Sequence, residues 1–187
     1  MSDSQTRVRY GLIAQLFHWS VVIMLIGLIV TNTLREGAPK GNEARLDWLN
    51  LHMSIGILLF LVVIARIAWA RLVPPPAPVQ APAWSVFAAR FAHVLLNLST
   101  LLIPVFGYLR VASKGRAADF FGTAIPSITG DMHWLHELME EVFHGEPMEI
   151  YLYTLVGLHI LAALWHQYGR RDGVLERMLP WGAKSSA

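Results

Sequence analysis

Four apolar stretches, at about residues 12–32, 51–72, 87–109 and 150–168, constrain this chain more than any other feature. Each comes close to the ~20 residues that a helix needs to cross a bilayer core of about 30 Å. Lipid offers no hydrogen bonds, so only segments that satisfy their own backbone can span it. The expected fold is therefore an all-α membrane protein built as a four-transmembrane-helix bundle. Pro104 falls inside the third run, where neighbouring helices can re-satisfy the freed carbonyl. Composition agrees: 55% of the residues are hydrophobic and only 15% charged, against roughly 25% charged in soluble domains. A net charge of +2 gives no electrostatic footprint for nucleic acid, which excludes that class of partner.

Basic residues set the expected orientation, because Lys and Arg near membrane ends stay in the cytoplasm. If the N-terminus lies inside, the cytoplasmic set is Arg7, Arg9, Arg66, Arg71, Arg90, Arg170, Arg171, Arg177 and Lys184. The smaller outer set is Arg35, Lys40, Arg45, Arg110, Lys114 and Arg116. Both termini are thus expected in the cytoplasm. The first apolar run exceeds a signal-peptide core and lacks a clear cleavage site, so it is read as retained.

The segments between the runs carry their own signals. Gly37, Pro39 and Gly41 mark an outer turn, and Pro74-Pro75-Pro76-Ala77-Pro78 reads as an extended, semi-rigid connector between the second and third helices. Residues 110–149 are too many for a structureless loop. Within them the apolar spacing of residues 132–143 predicts a short amphipathic helix, followed by a break at Gly145-Glu146-Pro147. No internal repeat is visible, and residues 1–187 read as a single domain.

Eight histidines in so apolar a chain demand an explanation. An ionisable side chain at membrane depth is costly without a partner, and imidazole is the commonest metal ligand. His18 lies about two turns into the first helix, and His52 opens the second at its outer rim. His159 lies near the middle of the fourth helix, two residues after Gly157, which lets a bulky planar group approach the backbone. His166, seven positions on, shares nearly the same face. His93 lies near the cytoplasmic boundary and reads as structural or headgroup-facing; His133 carries no functional signal. Arg66 stands fourteen residues after His52, about 21 Å along the same face, placed to meet an acidic group bidentately.

The chain has no cysteine, which excludes disulfides, thiolate-held iron–sulfur clusters and covalently attached c-type haem. A structural zinc site wants four ligands at one depth, whereas these histidines spread over two. Imidazole pairs from different helices fit six-coordinate haem iron better. Such haems have no open position and move electrons.

These residues resemble the bacterial cytochrome b561 family, four-helix dihaem membrane proteins related to the cytochrome b subunits of nickel–iron hydrogenases. The resemblance rests on Leu16-Phe17-His18-Trp19, Leu51-His52-Met53-Ser54-Ile55-Gly56, Ile64-Ala65-Arg66, Leu135-His136-Glu137, Gly157-Leu158-His159, Ala162-Ala163-Leu164-Trp165-His166 and the tail from Arg171-Asp172-Gly173 to Pro180. The superoxide oxidase type is the most similar. The resemblance implies a multi-pass protein of the bacterial inner membrane holding two non-covalent haem b groups. His18 and His159 would ligate one, His52 and His136 the other, and His166 would lie near a quinone, ubiquinone being the implied acceptor.

One departure leaves the fourth ligand open. His136 and His159 are twenty-three residues apart, about 35 Å in a straight helix and too far for two haems in one bundle. Either the Gly145-Glu146-Pro147 break folds the His136 helix back, or His144 takes the position; the His136-Glu137 pair favours His136. The expected chemistry is electron transfer across the membrane to quinone. Its donor would be superoxide, steered by Arg35, Lys40, Arg45, Lys114 or Arg116 on the outer face, or a periplasmic redox protein docking on an acidic outer loop. A membrane scaffold with structural histidines is the non-redox alternative.

Overall fold

A computed structural model describes residues 9–179. Arg7, Pro180 and Lys184, used above for orientation and resemblance, lie outside the described residues. Four helical stretches are long and apolar enough to cross a membrane: Leu12–Gly37, Glu43–Leu72, Ala83–Ala112 and His133–Arg170. The first three are the uninterrupted helices α1, α2 and α3. The fourth is composite. Helix α4 (His133–Leu138) runs into a π-helical turn (Met139–Phe143), and α5 (Glu146–Leu164) ends in another (Trp165–Arg170). The molecule is a four-transmembrane-helix all-α bundle. Side chains such as Ile23, Phe87 and Leu158 stay exposed on its flanks, as a lipid-facing surface requires.

The helices outrun the apolar stretches at most ends, because polar residues continue them. Helix α2 begins eight residues before His52's apolar run, where the Asn42 side chain accepts the Ala44 N–H at 3.0 Å and so caps the first turn. At the facing end of α1, Arg45 donates to the carbonyls of Arg35 (2.7 Å) and Ala38 (3.0 Å). A cation there satisfies orphan carbonyls and the negative end of the helix dipole. The dry core is small: Val21, Leu59 and Val63 are buried together, with Met24, Leu28 and Leu101 packed around them. Gly27 lets α2 approach, since a Cβ there would meet Ile55 at 3.4 Å.

One end of the bundle is covered by a feature without a sequence signal, an antiparallel hairpin of β1 (Ala118–Phe120) and β2 (Thr123–Ile125). Its two-residue turn, Phe121-Gly122, has positive φ at both positions (49° and 84°), the geometry that suits a tight hairpin. Ser54, buried in α2, accepts the Phe121 N–H at 2.9 Å and ties the hairpin down.

Both described chain ends and the proline connector gather at the opposite end. After Arg170 the chain doubles back as a hook. There Trp19 donates to the Met178 carbonyl (2.8 Å), Gln15 to the Arg177 carbonyl (3.2 Å), and Arg177 to the Ala77 carbonyl in the connector (2.7 Å). These two ends are called the hairpin end and the terminal end below.

Candidate functional site

A cavity of about 2560 Å³ runs along the bundle, from His166 and Arg177 at the terminal end to Arg110 and His144 at the hairpin end. Ordinary small-molecule pockets measure roughly 300–1,000 Å³, so this one has room for more than one large group. Among the described residues no cluster of three or more His, Asp or Glu side chains is placed to hold a bare metal ion. Imidazoles line the cavity in pairs instead.

Toward the terminal end, His18 on α1 faces His159 on α5 with ring centroids 6.5 Å apart. His93 on α3 stands beyond, 5.4 Å from His159, and Arg66 on α2 lines the same space. Each of the four spanning segments thus contributes one basic side chain at this level. Among the described residues Arg66 has no hydrogen-bond or ion-pair partner. A half-buried guanidinium so placed is suited to an anionic group within the cavity.

Toward the hairpin end, His52 on α2 faces His144, the residue at the break between the π turn and α5, with centroids 6.3 Å apart. His52 Nδ1 lies 3.2 Å from the Leu28 carbonyl and 3.1 Å from Thr31 Oγ1. His144 Nδ1 lies 3.0 Å from the Ile103 carbonyl. A carbonyl only accepts, so each Nδ1 carries its hydrogen and each Nε2 keeps its lone pair. That is the arrangement metal-ligating histidines use, with the far nitrogen fixed by a backbone oxygen. Leu28 and Thr31 follow His18 on α1 by ten and thirteen residues, so the two pairs sit about 15–20 Å apart in depth.

The space for His144 is made by Gly107 on α3: a Cβ there would lie 2.7 Å from the His144 ring. Pro104, one turn earlier, cannot donate to the Thr100 carbonyl, and the helix continues through it.

His136 is placed differently. Its Nδ1 donates to the Arg110 carbonyl at 2.9 Å, and its Nε2 meets Glu140 Oε2 at 2.6 Å. One ring nitrogen faces a carbonyl and the other a carboxylate, so both are engaged and neither is left facing a metal. Glu140 also binds Arg110 Nη2 at 2.7 Å, and Arg110 Nη1 donates to the His144 carbonyl at 3.0 Å. The cluster is a brace behind His144.

The donor set suits haem. Two imidazoles that held one metal between them through ring nitrogens would have centroids roughly 6.3 Å apart. Both pairs match this spacing, in a cavity deep and apolar enough for a macrocycle. The comparisons with known proteins point the same way: residues 9–181 match the family model described as prokaryotic cytochrome b561. The chain belongs to the prokaryotic cytochrome b561 family. It is 30% identical over 193 residues to cytochrome b561 homolog 2 of Escherichia coli (strain K12), covering 96% of this chain and 95% of that protein. It is 27% identical over 169 residues to cytochrome b561 homolog 1 of the same strain (87% and 92% covered). Similarity to the probable superoxide oxidase CybB of Yersinia pestis is 27% over 165 residues (87% and 91% covered). As a cytochrome b561 the chain is a multi-pass inner-membrane electron-transfer protein, and the family's name implies haem b as its cofactor.

His166 also lines the cavity, at the terminal end. Its Nδ1 lies 2.6 Å from Asp172 Oδ2, a partner that sequence reading did not find. Sequence reading also passed over Gly107, Arg110 and Thr31 as site residues and read His93 as structural. Nothing local marks the first three, because their roles depend on what other helices bring against them. For His93 the available signal was an imidazole within a largely apolar helix, one turn past Arg90.

Proposed function

We propose that this cytochrome holds two b-type haems and carries electrons from the hairpin side of the membrane to a quinone at the terminal side. The observation that carries the reading is the pair of imidazole pairs, 6.5 Å and 6.3 Å between centroids, at two depths of one cavity. His18 and His159, the pair that the family resemblance implies, are the ligands of one haem. For the other haem we assign His52 and His144, in place of the His136 that the His-Glu pair favoured. What supports the change is that His144 offers a bare Nε2 opposite His52, while both nitrogens of His136 are engaged.

Two such haems supply one-electron exchange without an open coordination position. The chain's residues do the rest. Thr31, Leu28 and Ile103 fix the hairpin-end rings, and Arg66 would pair with a haem carboxylate near the terminal-end pair. His166 holds a quinone oxygen by its Nε2, and apolar walls keep the site dry. Superoxide is the proposed donor, on the name of the Yersinia relative, with ubiquinone as acceptor. Lys114 and Arg116, which line the cavity at the hairpin end, provide positive charge for an incoming anion. A second reading, a periplasmic redox protein as donor, draws on Glu36, Glu137 and Glu140, exposed by about half at the same end (59%, 57% and 47%). With N-terminus and hook on the cytoplasmic side, the donor would be periplasmic.

The test is optical. The purified protein should show two haem b per chain and be reduced by a superoxide pulse, then reoxidised by added ubiquinone. One haem or none overturns the dihaem reading, and two haems indifferent to superoxide favour the redox-protein donor.

A further inference from the structure

The hook that follows α5 is built to return one carboxylate to one histidine. Arg171 adopts a left-handed conformation (φ 55°, ψ 38°), as does Gly173 (φ 71°). For a non-glycine residue this is an uncommon backbone state that often marks function. Its effect is to reverse the chain within two residues and set Asp172 beside the last turn of α5. Asp172 Oδ2 lies 2.6 Å from His166 Nδ1 and 3.2 Å from Arg170 Nε, while Oδ1 accepts the Val174 N–H at 3.4 Å. Both partners are largely shielded, the His166 side chain being 19% exposed and that of Asp172 17%.

Burial by itself pushes the Asp172 carboxyl up. The hydrogen bond and charge of His166, the Val174 N–H and the Arg170 guanidinium outweigh it and hold the group below the ordinary carboxylate range. The charged groups facing this pair are therefore Arg170 and the carboxylate itself; Glu176 is drawn aside to Gln167 at 3.3 Å. An ionised carboxylate accepts the Nδ1–H, which fixes the tautomer and the orientation of the ring. Nε2 is then the nitrogen left for a ligand in the cavity.

We propose that Asp172 is the positioning residue of a proton-delivering pair, orienting His166 so that its Nε2–H protonates a quinone oxygen at the terminal end of the cavity. This rests on the reading that a quinone is reduced there. The reaction balances as follows: one quinone takes two electrons, one from each of two superoxide ions that leave as dioxygen, and two protons, giving the quinol. Each proton leaves His166 Nε2 and is replaced at Nε2 by water from the terminal mouth of the cavity, while Asp172 holds the Nδ1–H throughout. General-acid assistance of this kind is worth about 10²-fold or more in rate. A carboxylate that fixes the imidazole carries most of that gain, as in hydrolase triads.

The experiment uses the purified holoprotein, reduced anaerobically and mixed with a short-chain ubiquinone, with haem reoxidation followed at the alpha band. Asp172→Asn is expected to lower kcat about 10²-fold with KM changed by less than about twofold and both haem spectra unchanged. Asp172→Glu, which keeps a carboxylate, should recover kcat to within about tenfold. Equal kcat in wild type and Asp172→Asn overturns the proposal. So does a rise in KM alone, or equal loss in the Asn and Glu variants, since either makes the contact merely structural. Wild-type protein that ubiquinone does not reoxidise overturns the quinone reading itself, and the proposal with it.

Discussion

The two ends of the cavity hold their histidines in opposite ways. At the hairpin end each ring is pinned through Nδ1, His52 by Leu28 and Thr31 and His144 by Ile103, and Arg110 braces the His144 carbonyl. At the terminal end neither His18 nor His159 has a hydrogen-bond partner among the described residues, and a third imidazole, His93, stands 5.4 Å from one of them. The hairpin-end site is thus formed by the protein, its rings already oriented. The terminal-end site supplies imidazoles and a cation at the right level and leaves their final orientation to the bound group. The contrast follows from where the proposed ligands sit. His144 lies at a break in the helical run, where its backbone needs outside partners, whereas His18 and His159 lie inside regular helices that place their rings without help.

That difference predicts unequal tolerance to mutation. The largest effect is expected from His52→Ala, which leaves the hairpin end with one ligand and no spare imidazole, because His136 is engaged with Arg110 and Glu140. Loss of one full haem equivalent by pyridine haemochrome assay is the expected result. His18→Ala should be milder. His159 remains with His93 close by, so a fraction of the terminal-end haem should persist with a high-spin spectrum, and complete loss would break the comparison.

Gly107→Val comes next. The added carbons enter the space of the His144 ring, where even a Cβ sits 2.7 Å away; overpacking of this kind costs about 1–3 kcal/mol. Its melting temperature should fall, and the hairpin-end haem should be lost before the other. Thr31→Ala removes one partner of His52 Nδ1 and leaves the Leu28 carbonyl. Loss of an outer-shell partner typically weakens metal binding about 10- to 100-fold, so haem titration of the apoprotein should show a drop near the low end, at one site only.

The smallest effect concerns pH. The Asp172 carboxyl is depressed in the folded protein, so its contribution to stability is present above the ordinary value of 3.8 and is lost as pH falls through the depressed one. The hook should therefore resist proteolysis at pH 5 as at pH 7 and loosen only below about pH 4. In Asp172→Asn this acid step should disappear.

The four spanning helices were legible because bilayer thickness sets their length and composition sets their solvent. Their ends were less so. Helix α2 starts at Glu43, and a capping asparagine rather than apolarity decides that. The hairpin escaped notice because three-residue strands have no period to read. At the site, His18, His52, His159 and Arg66 all line the cavity. The fourth ligand was not decidable from the chain alone. Choosing between His136 and His144 depends on an absent side chain at Gly107 and a carbonyl at Ile103, both on α3 and far from either candidate in sequence, as well as on Glu140, which lies four residues from each and so favours neither by position. Asp172 was hidden for a related reason, since its meeting with His166 depends on a left-handed Arg171.

Haem stoichiometry in His144→Ala beside His136→Ala tests the central claim most directly. The account predicts one haem b per chain in His144→Ala, with the terminal-end haem spectrum intact, and two in His136→Ala. Two haems in His144→Ala, with one in His136→Ala, would contradict it.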